Sequence, residues 1–285
     1  MRFRPRVALV CACALAISLA GTASASSTAP VRPKAAVLTS AVKQQLAAHG
    51  TATVPADTLN TDCPGIQNAG VSAGDCIVAP YGCTANFIFT DGSSQYIGTA
   101  RHCTDKIGQP VTMQLDTTTI GVVGTVAKMT SGDGVPGNDW ALIKIDPAVA
   151  SKWGVNPAVP VIGGPQGVYT GCDPTPVTYY GHGYGVAVAQ GKVEGGFATN
   201  LYDDGYGWTG VGAPGDSGSG VLTSPGGPAI GDFTHLIVDT GAYPGSDHAG
   251  TRITKILSQF GVSLVNADGS TTGPASTSCG AAPAP

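Results

Sequence analysis

The stretch Gly212 to Gly220, GAPGDSGSG, places one serine, Ser217, directly after an aspartate within a run of glycines. Such a run is typical of a surface turn, and also of a backbone wound tightly around one reactive side chain. A serine hydroxyl is a weak nucleophile. It needs a nearby base, a group that orients the base, and donors for the developing oxyanion. A reactive Ser217 therefore requires such partners elsewhere in the sequence.

His102 and Asp139 are the candidates for the base and its orienting group. His102 lies in YIGTARHC, directly after a predicted strand and before Cys103. Asp139 heads the apolar run DWALI, where a buried carboxylate could hold an imidazole. Each residue has an alternative interpretation: a surface-loop histidine beside a structural disulfide, and a strand cap that faces water. The other histidines lie in an N-terminal extension, among glycines or within strands: His49, His182, His235 and His248.

Three segments are predicted along the chain. Residues 1–25 combine three early arginines, an apolar run and the small-residue sequence Ala23-Ser24-Ala25, which indicates a secretory signal peptide and an extracellular protein. Residues 26–62 form a propeptide or an N-terminal extension with a short helix near Thr39 to His49 that ends at Gly50. Residues 63–285 form the main domain.

The composition of the chain indicates an all-β fold. The 42 glycines and 21 prolines separate short runs of Val, Ile, Thr and Tyr, as in a β-sandwich or β-barrel. One amphipathic helix is predicted near the end, from Ile253 to Phe260. The 18 acidic residues outnumber the 14 basic ones, three of which leave with the signal peptide. This charge argues against nucleic acid or an anionic membrane as the main partner.

Six cysteines follow the signal peptide, and an even number in an exported protein predicts three disulfides. A hairpin with strands near Ala85–Thr90 and Gln95–Thr99 brings Cys83 close to Cys103. The remaining pairs, assigned from sequence proximity and elimination, are Cys63–Cys76 and Cys172–Cys279. No Cys-x-x-Cys or paired-histidine spacing indicates a metal site, so none is predicted.

The sequences TARHC, NDWALIKI and GDSGSG, in that order, resemble the secreted bacterial branch of the chymotrypsin-like serine proteases. The resemblance extends from about Cys83 to Phe260 and includes the strand YYGHG. It implies two six-stranded antiparallel β-barrels with a short C-terminal helix.

The resemblance also implies the role of each residue at the candidate site. Ser217 would be the nucleophile, His102 the general base and then acid, and Asp139 the orienting carboxylate. The N–H groups of Gly215 and Ser217 would form the oxyanion hole. The implied protein is a monomeric endopeptidase that acts on proteins or peptides without a cofactor. The alternative from another class is a catalytically silent binding or adhesion module with the same fold.

Specificity and activation are predicted from departures from the family pattern. Val211 stands where trypsin-like members carry an aspartate, and Gly241 and Gly250 are expected to form open pocket walls, which favours a large apolar or aromatic P1 residue. Asp239 could instead favour a basic P1 residue. A glutamyl preference would need a basic group, for which His235 and His248 are the candidates.

The expected partner of Asp216 is an internal cation rather than a freed N-terminus. No Ile-Val-Gly-Gly-like sequence lies far enough before Cys83 to insert beside this aspartate. Because an unpaired buried charge is costly, Arg252 or Arg101 is expected to pair with Asp216.

Overall fold

The computed structural model describes residues 38–57, 63, 68–131, 135–183, 192–236 and 241–283. Strands are the main secondary structure of these residues, and two antiparallel sheets contain nearly all of the strands. The prediction of an all-β chain with a short C-terminal helix is confirmed.

The first sheet has ten strands in the described part of the chain, in the order β19-β18-β5-β6-β9-β8-β7-β3-β4, with β1 paired to β8. Its strands are β1 (Thr51–Thr53), β3 (Cys76–Ala79), β4 (Cys83–Thr84), β5 (Ile88–Thr90), β6 (Gln95–Thr99), β7 (Pro110–Gln114), β8 (Thr119–Met129), β9 (Ala141–Ile145), β18 (Ser263–Val265) and β19 (Thr271–Thr272).

The second sheet has seven strands among the described residues, in the order β15-β14-β11-β12-β13-β17-β16. Its strands are β11 (Thr175–Gly181), β12 (Lys192–Leu201), β13 (Gly205–Gly210), β14 (Gly220–Leu222), β15 (Ala229–Asp232), β16 (His235–Leu236) and β17 (His248–Thr251). A small parallel pair joins β2 (Val71–Ser72) to β10 (Val155–Asn156).

The strand numbers differ from the six per barrel that the resemblance implies. The first sheet is larger partly because segments from both ends of the chain add to it. Near the N-terminus, β1 pairs with β8, and near the C-terminus β18 pairs with β5 and with β19.

Among the described residues, three α-helices have clear sequence signals at their ends or along one face. The helix α1 (Ser40–His49) begins at the N-cap Thr39 and ends at Gly50, which has a φ of +69°. The helix α2 (Pro147–Trp153) begins at the N-cap Asp146. The helix α3 (Ile253–Phe260) buries Ile253, Ile256 and Leu257 on one face and ends at Gly261. The two helices expected from periodicity are therefore present within a residue of their predicted bounds.

The N-terminal segment 38–57 packs against the main domain. Leu38, Val42 and Leu46 of α1 contact a buried cluster, and β1 pairs with β8 from Thr51 opposite Gly121. The members of the cluster are Ala52, Val54, Cys63, Cys76, Val78 and Ile120. This part of the predicted propeptide or extension thus shares a core with the domain that follows it. The predicted signal peptide lies outside the described residues.

The three predicted disulfides, Cys63–Cys76, Cys83–Cys103 and Cys172–Cys279, are all confirmed. The hairpin that predicted the second pair is also present, because Ile88 of β5 lies opposite Ile97 of β6. Its turn is held by Asp91, whose Oδ1 accepts hydrogen bonds from the N–H groups of Ser93 and Ser94.

The two sheets are joined by a shared core and by backbone hydrogen bonds. One buried cluster combines Phe87 and Trp140 from the first half of the chain with Leu222 and Ile253 from the second. At the edge strand β4, the N–H of Thr84 donates to the carbonyl of Ser217 at 2.9 Å. The loop that carries Ser217 is therefore attached directly to the sheet that carries His102.

Candidate functional site

His102 lies in a 3-10 turn, Arg101–Cys103, directly after β6. The side chain is 1 % exposed, and the next residue is bonded to Cys83 at the start of β4. The turn follows the strand without a linker and is fixed by the disulfide, so the position of the imidazole is closely restricted. A flexible surface-loop histidine does not fit this geometry.

Asp139 holds His102 through both carboxylate oxygens. Its Oδ1 accepts the backbone N–H of His102 at 2.9 Å, and its Oδ2 lies 2.6 Å from His102 Nδ1. The carboxylate is fully buried, and the N–H of Asp139 donates to Thr251 Oγ1 at 3.0 Å. The alternative of a strand cap facing water is therefore wrong.

The electrostatics of this pair favour an ionised carboxylate. Burial alone raises the pKa of Asp139, but the charge of His102 and its hydrogen bonds, with a contribution from His235, hold that pKa below its usual value. A carboxylate that accepts from Nδ1 keeps the proton on Nδ1 and leaves the lone pair of Nε2 available as a base. His102 Nε2 has no hydrogen-bond partner among the described residues.

The glycines around Ser217 allow close approach of the two sheets. Gly215 has a φ of +107° and Gly218 a φ of +90°. A Cβ on Gly218 would lie 2.2 Å from the carbonyl oxygen of Thr84, a distance that no real Cβ contact shows. The loop is therefore a rigid turn packed against the strand before His102, rather than a loose surface turn.

The structure brings Ser217 beside the His102 turn. Cys103 Sγ lies 3.7 Å from the Ser217 carbonyl oxygen, and Thr84 Oγ1 donates to the carbonyl of Gly215 at 2.9 Å. No hydrogen bond joins Ser217 Oγ to His102 within the described residues. Such bonds are often long in an enzyme without substrate and shorten when substrate binds.

Two N–H groups at this turn remain available to a ligand. The N–H of Asp216 donates to Ala213, and the N–H of Gly218 donates to Phe233. Within the part of the chain that the structure describes, no hydrogen bond uses the N–H of Gly215 or of Ser217. These are the two groups that the resemblance implies for the oxyanion hole.

Asp216 is stabilised by backbone N–H groups. Its Oδ1 accepts from Gly183 at 2.7 Å, and its Oδ2 accepts from Ala213 at 2.8 Å. A Cβ at Gly181 or Gly183 would come within 2.6 Å of the Asp216 carboxylate, so glycine is required at both positions. This requirement explains the GHG sequence, whose role sequence reasoning had left unassigned.

The two arginines expected beside Asp216 bind elsewhere. The guanidinium of Arg252 donates to the carbonyls of Tyr169 and Gly171 and lies over the Tyr169 ring. Arg101 Nε donates to the carbonyl of Thr130 at 2.9 Å. The prediction of either arginine as the partner of Asp216 is therefore wrong, and the physical reason is that backbone carbonyls elsewhere hold both guanidinium groups, while backbone amides at a glycine-rich turn stabilise the Asp216 carboxylate.

A small depression lies beside Ser217. Its lining residues are Ala213, Pro214, Ser217, Phe233, Thr234 and Leu236. None of the three residues predicted to form the substrate pocket lines this depression. Val211 is exposed, Gly241 faces open space, and Gly250 lies inside the second sheet, where a Cβ would meet the Asp232 carbonyl and the Tyr206 ring. The sequence spacing did not show that Gly250 lies within β17, inside the second sheet.

Two histidines that sequence reasoning had set aside lie near the site. His235 is buried, with Nδ1 3.9 Å from Asp139 Oδ2. The ring of His248 stacks on Trp208, and its Nδ1 bonds to Asp247. Burial lowers the pKa of His248, partly offset by Asp247. Neither histidine had a flanking motif, so no sequence signal marked them. Asp239 lies outside the described residues.

Two antiparallel sheets that meet at Ser217 and His102, with a helix near the end of the chain, resemble the chymotrypsin-like fold. No family model matches the chain, and no curated protein matches its sequence.

Similar solved structures include a glutamic acid-specific serine protease, with 20% identity and a TM-score of 0.45, covering 68% of this chain and 100% of that one. Protease A of Thermobifida fusca has 23% identity and a TM-score of 0.48, covering 69% and 98%. The alpha-lytic protease homolog N4 has 17% identity and a TM-score of 0.43, covering 68% and 98%.

Proposed function

We propose that this protein is a secreted serine endopeptidase that uses Ser217, His102 and Asp139. The observation that carries the proposal is that the buried Asp139 carboxylate contacts His102 twice, accepting its backbone N–H at one oxygen and its Nδ1 at the other. These two contacts leave Nε2 as the basic atom of the imidazole. The turn that contains His102 packs on the loop of Ser217. A purely structural histidine has no need of an ionised, buried partner.

In the proposed mechanism, Ser217 Oγ attacks the carbonyl carbon of the scissile peptide while His102 Nε2 removes the hydroxyl proton. The negative charge that develops on the carbonyl oxygen is stabilised by the N–H groups of Gly215 and Ser217. The imidazolium is stabilised by Asp139 and returns its proton to the leaving amine. Water then attacks the acyl-enzyme with the same proton transfers in reverse order, which regenerates Ser217.

The decisive test is labelling by a fluorophosphonate probe, which reacts with activated serines. Ser219, two residues away, provides a matched control because it is also in the GDSGSG sequence and is fully buried. We expect the wild-type protein and Ser219→Ala to be labelled and Ser217→Ala to remain unlabelled. Labelling of a folded Ser217→Ala protein, or no labelling of the wild type, would reject the assignment in favour of a silent binding module.

For specificity, we propose an apolar or aromatic P1 residue. The support is the depression beside Ser217, to which Ala213, Pro214, Phe233 and Leu236 contribute apolar side chains. His248, one candidate for recognising an acidic P1 residue, is engaged by Asp247 and by stacking on Trp208. Peptides that differ only at P1 test this: cleavage after Phe, Tyr or Leu should exceed cleavage after Arg or Glu.

Secretion is part of the proposal and is supported by the predicted signal peptide and the three disulfides. Across the described residues, no helix has the length and apolar character that a membrane crossing requires. Expression with residues 1–25 intact should release a chain that begins after about Ala25, or at a later processing site, into the medium. Mass spectrometry of the secreted protein measures this.

A further inference from the structure

A second imidazole lies against the carboxylate of Asp139. His235, at the start of β16, is 3 % exposed, and its Nδ1 lies 3.9 Å from Asp139 Oδ2. This is the same oxygen that His102 Nδ1 contacts at 2.6 Å. The two rings are 6.2 Å apart and meet edge to face, at 64°. The imidazoles of His102 and His235 thus both face the Asp139 carboxylate.

His235 faces the Asp139 carboxylate rather than the depression beside Ser217. Its two neighbours, Thr234 and Leu236, are among the residues that line that depression, whereas His235 is not. Its Nδ1 lies instead against Asp139 Oδ2 and Thr234 Oγ1.

The hydrogen bonds around His235 place a proton on its Nδ1. Thr234 Oγ1 donates to the carbonyl of Ala249 at 3.1 Å, so its hydroxyl proton is already used. His235 Nδ1 lies 2.7 Å from the same Oγ1 and must donate to it. This N–H lies on the side of the ring nearest the carboxylate.

We propose that His235 is a positioning residue for the Asp139–His102 pair. With His235 in place, the charge of the Asp139 carboxylate is shared between two imidazoles. The inference rests on the proposed function. A carboxylate whose charge is partly engaged by His235 attracts a proton on His102 less strongly than one that serves His102 alone. Replacing His235 is therefore expected to strengthen the attraction of Asp139 for a proton on His102.

The other titratable groups around this pair do not supply the same effect. Asp232, at the end of β15, is fully buried. Its Oδ1 accepts the N–H of Thr251, and burial followed by the nearby Asp139 raises its pKa well above the usual range. A neutral Asp232 adds no charge beside His235. In β17, which pairs with β16, His248 bonds to Asp247 rather than to Asp139.

The test compares His235→Asn, which keeps an N–H donor but cannot titrate, with His235→Leu, which has neither property. His248→Asn is the control, because it removes a buried histidine from the adjacent strand. We expect the acid limb of kcat/KM to move up by about 0.5–1 pH unit in both His235 variants and to stay in place in His248→Asn. We expect kcat to fall roughly tenfold in His235→Leu, with little change in KM, and less in His235→Asn.

A second measurement is independent of activity. In a Ser217→Ala background, NMR titration of the ring protons should show His102 protonating at higher pH once His235 is replaced by asparagine. An unchanged acid limb and an unchanged NMR midpoint in His235→Asn would overturn the inference. If the wild type lacks peptidase activity, the proposed function fails, while the NMR titration still decides whether the two histidines are coupled.

Discussion

At the scale of single residues, Asp139 fixes which nitrogen of His102 carries the proton. An asparagine at this position would keep the size of the side chain but could present an N–H to Nδ1 and reverse the tautomer. We expect Asp139→Asn to lower kcat by roughly 10⁴ and His102→Ala by roughly 10⁶, with little loss of fold. Peptide hydrolysis by purified variants measures both. A kcat for Asp139→Asn near that of the wild type would contradict the proposed role.

A glycine can be required because its φ is positive or because a side chain has no space. Gly218 and Gly92 distinguish these two reasons. Both have similar φ values, +90° and +88°, but a Cβ on Gly218 would strike Thr84, whereas a Cβ on Gly92 would meet nothing within 4 Å. We expect Gly92→Ala to lower the free energy of unfolding by about 1 kcal/mol. Gly218→Ala should lower it by about 3 kcal/mol or more and reduce activity.

Urea titration measures the two free energies of unfolding. Equal losses in Gly218→Ala and Gly92→Ala would mean that the loop of Ser217 adapts to a side chain. The description of that loop as a rigid turn would then be wrong.

At the scale of elements, the N-terminal segment 38–57 covers part of the first sheet. β1 pairs with residues 119–121 of β8, and α1 lies over the cluster that contains Ile120 and Cys76. A protein that begins at residue 58 would expose this edge and its apolar neighbours. We expect its Tm to be lower by roughly 5–10 °C than that of a protein that begins at residue 38. Equal Tm values would show that the segment is dispensable.

The loop between β13 and β14 leads to a prediction about activation. The Asp216 carboxylate accepts hydrogen bonds from the N–H groups of Gly183 and Ala213, which stabilise its charge within the domain itself. We expect acetylation of the mature N-terminus, or an added tag, to leave kcat unchanged. Steady-state kinetics of blocked and unblocked protein test this, and a collapse of kcat with the fold intact would establish an insertion mechanism instead.

At the scale of the whole molecule, Asp232 links stability to pH. Burial, then the proximity of Asp139, raises its pKa, so the folded protein keeps a proton that the unfolded chain releases above about pH 4. Its contribution to stability is complete below that pH and is lost as the pH rises toward the folded pKa. We expect Asp232→Asn to reduce the loss of stability between pH 5 and pH 8.

Asp91→Asn is the control for this prediction. Hydrogen bonds from Tyr96 and from Ser93 hold the pKa of Asp91 below its usual value, so its contribution appears only as the pH rises from strongly acidic values. The Asp91→Asn substitution should therefore not alter the change in stability between pH 5 and pH 8. Denaturant titrations at both pH values compare the two variants, and identical pH dependence in them would contradict the assignment of a raised pKa to Asp232.

The sequence was informative where one residue type has few structural uses. Glycine at position 218, the pair Cys83–Cys103 and the helix ending at Gly261 were all predictable from local rules. The partners of Asp216 and the lining of the depression were not, because they depend on how β11, β16 and β17 come together across the second sheet. The position of His235 beside Asp139 was not predicted for the same reason, since only the pairing of distant strands brings the two residues together.

The first and the last strands of the described chain belong to the same sheet, because β1 joins the first sheet near the N-terminus, β18 and β19 join it near the C-terminus, and the second sheet lies between them in sequence. The polypeptide therefore passes from one half of the molecule to the other and back. Cys172–Cys279 adds a covalent tie from the start of the second half to the tail. A single cut in either crossing would leave the halves connected. Under the proposed peptidase function, a molecule cut once in a crossing by another copy would therefore stay in one piece.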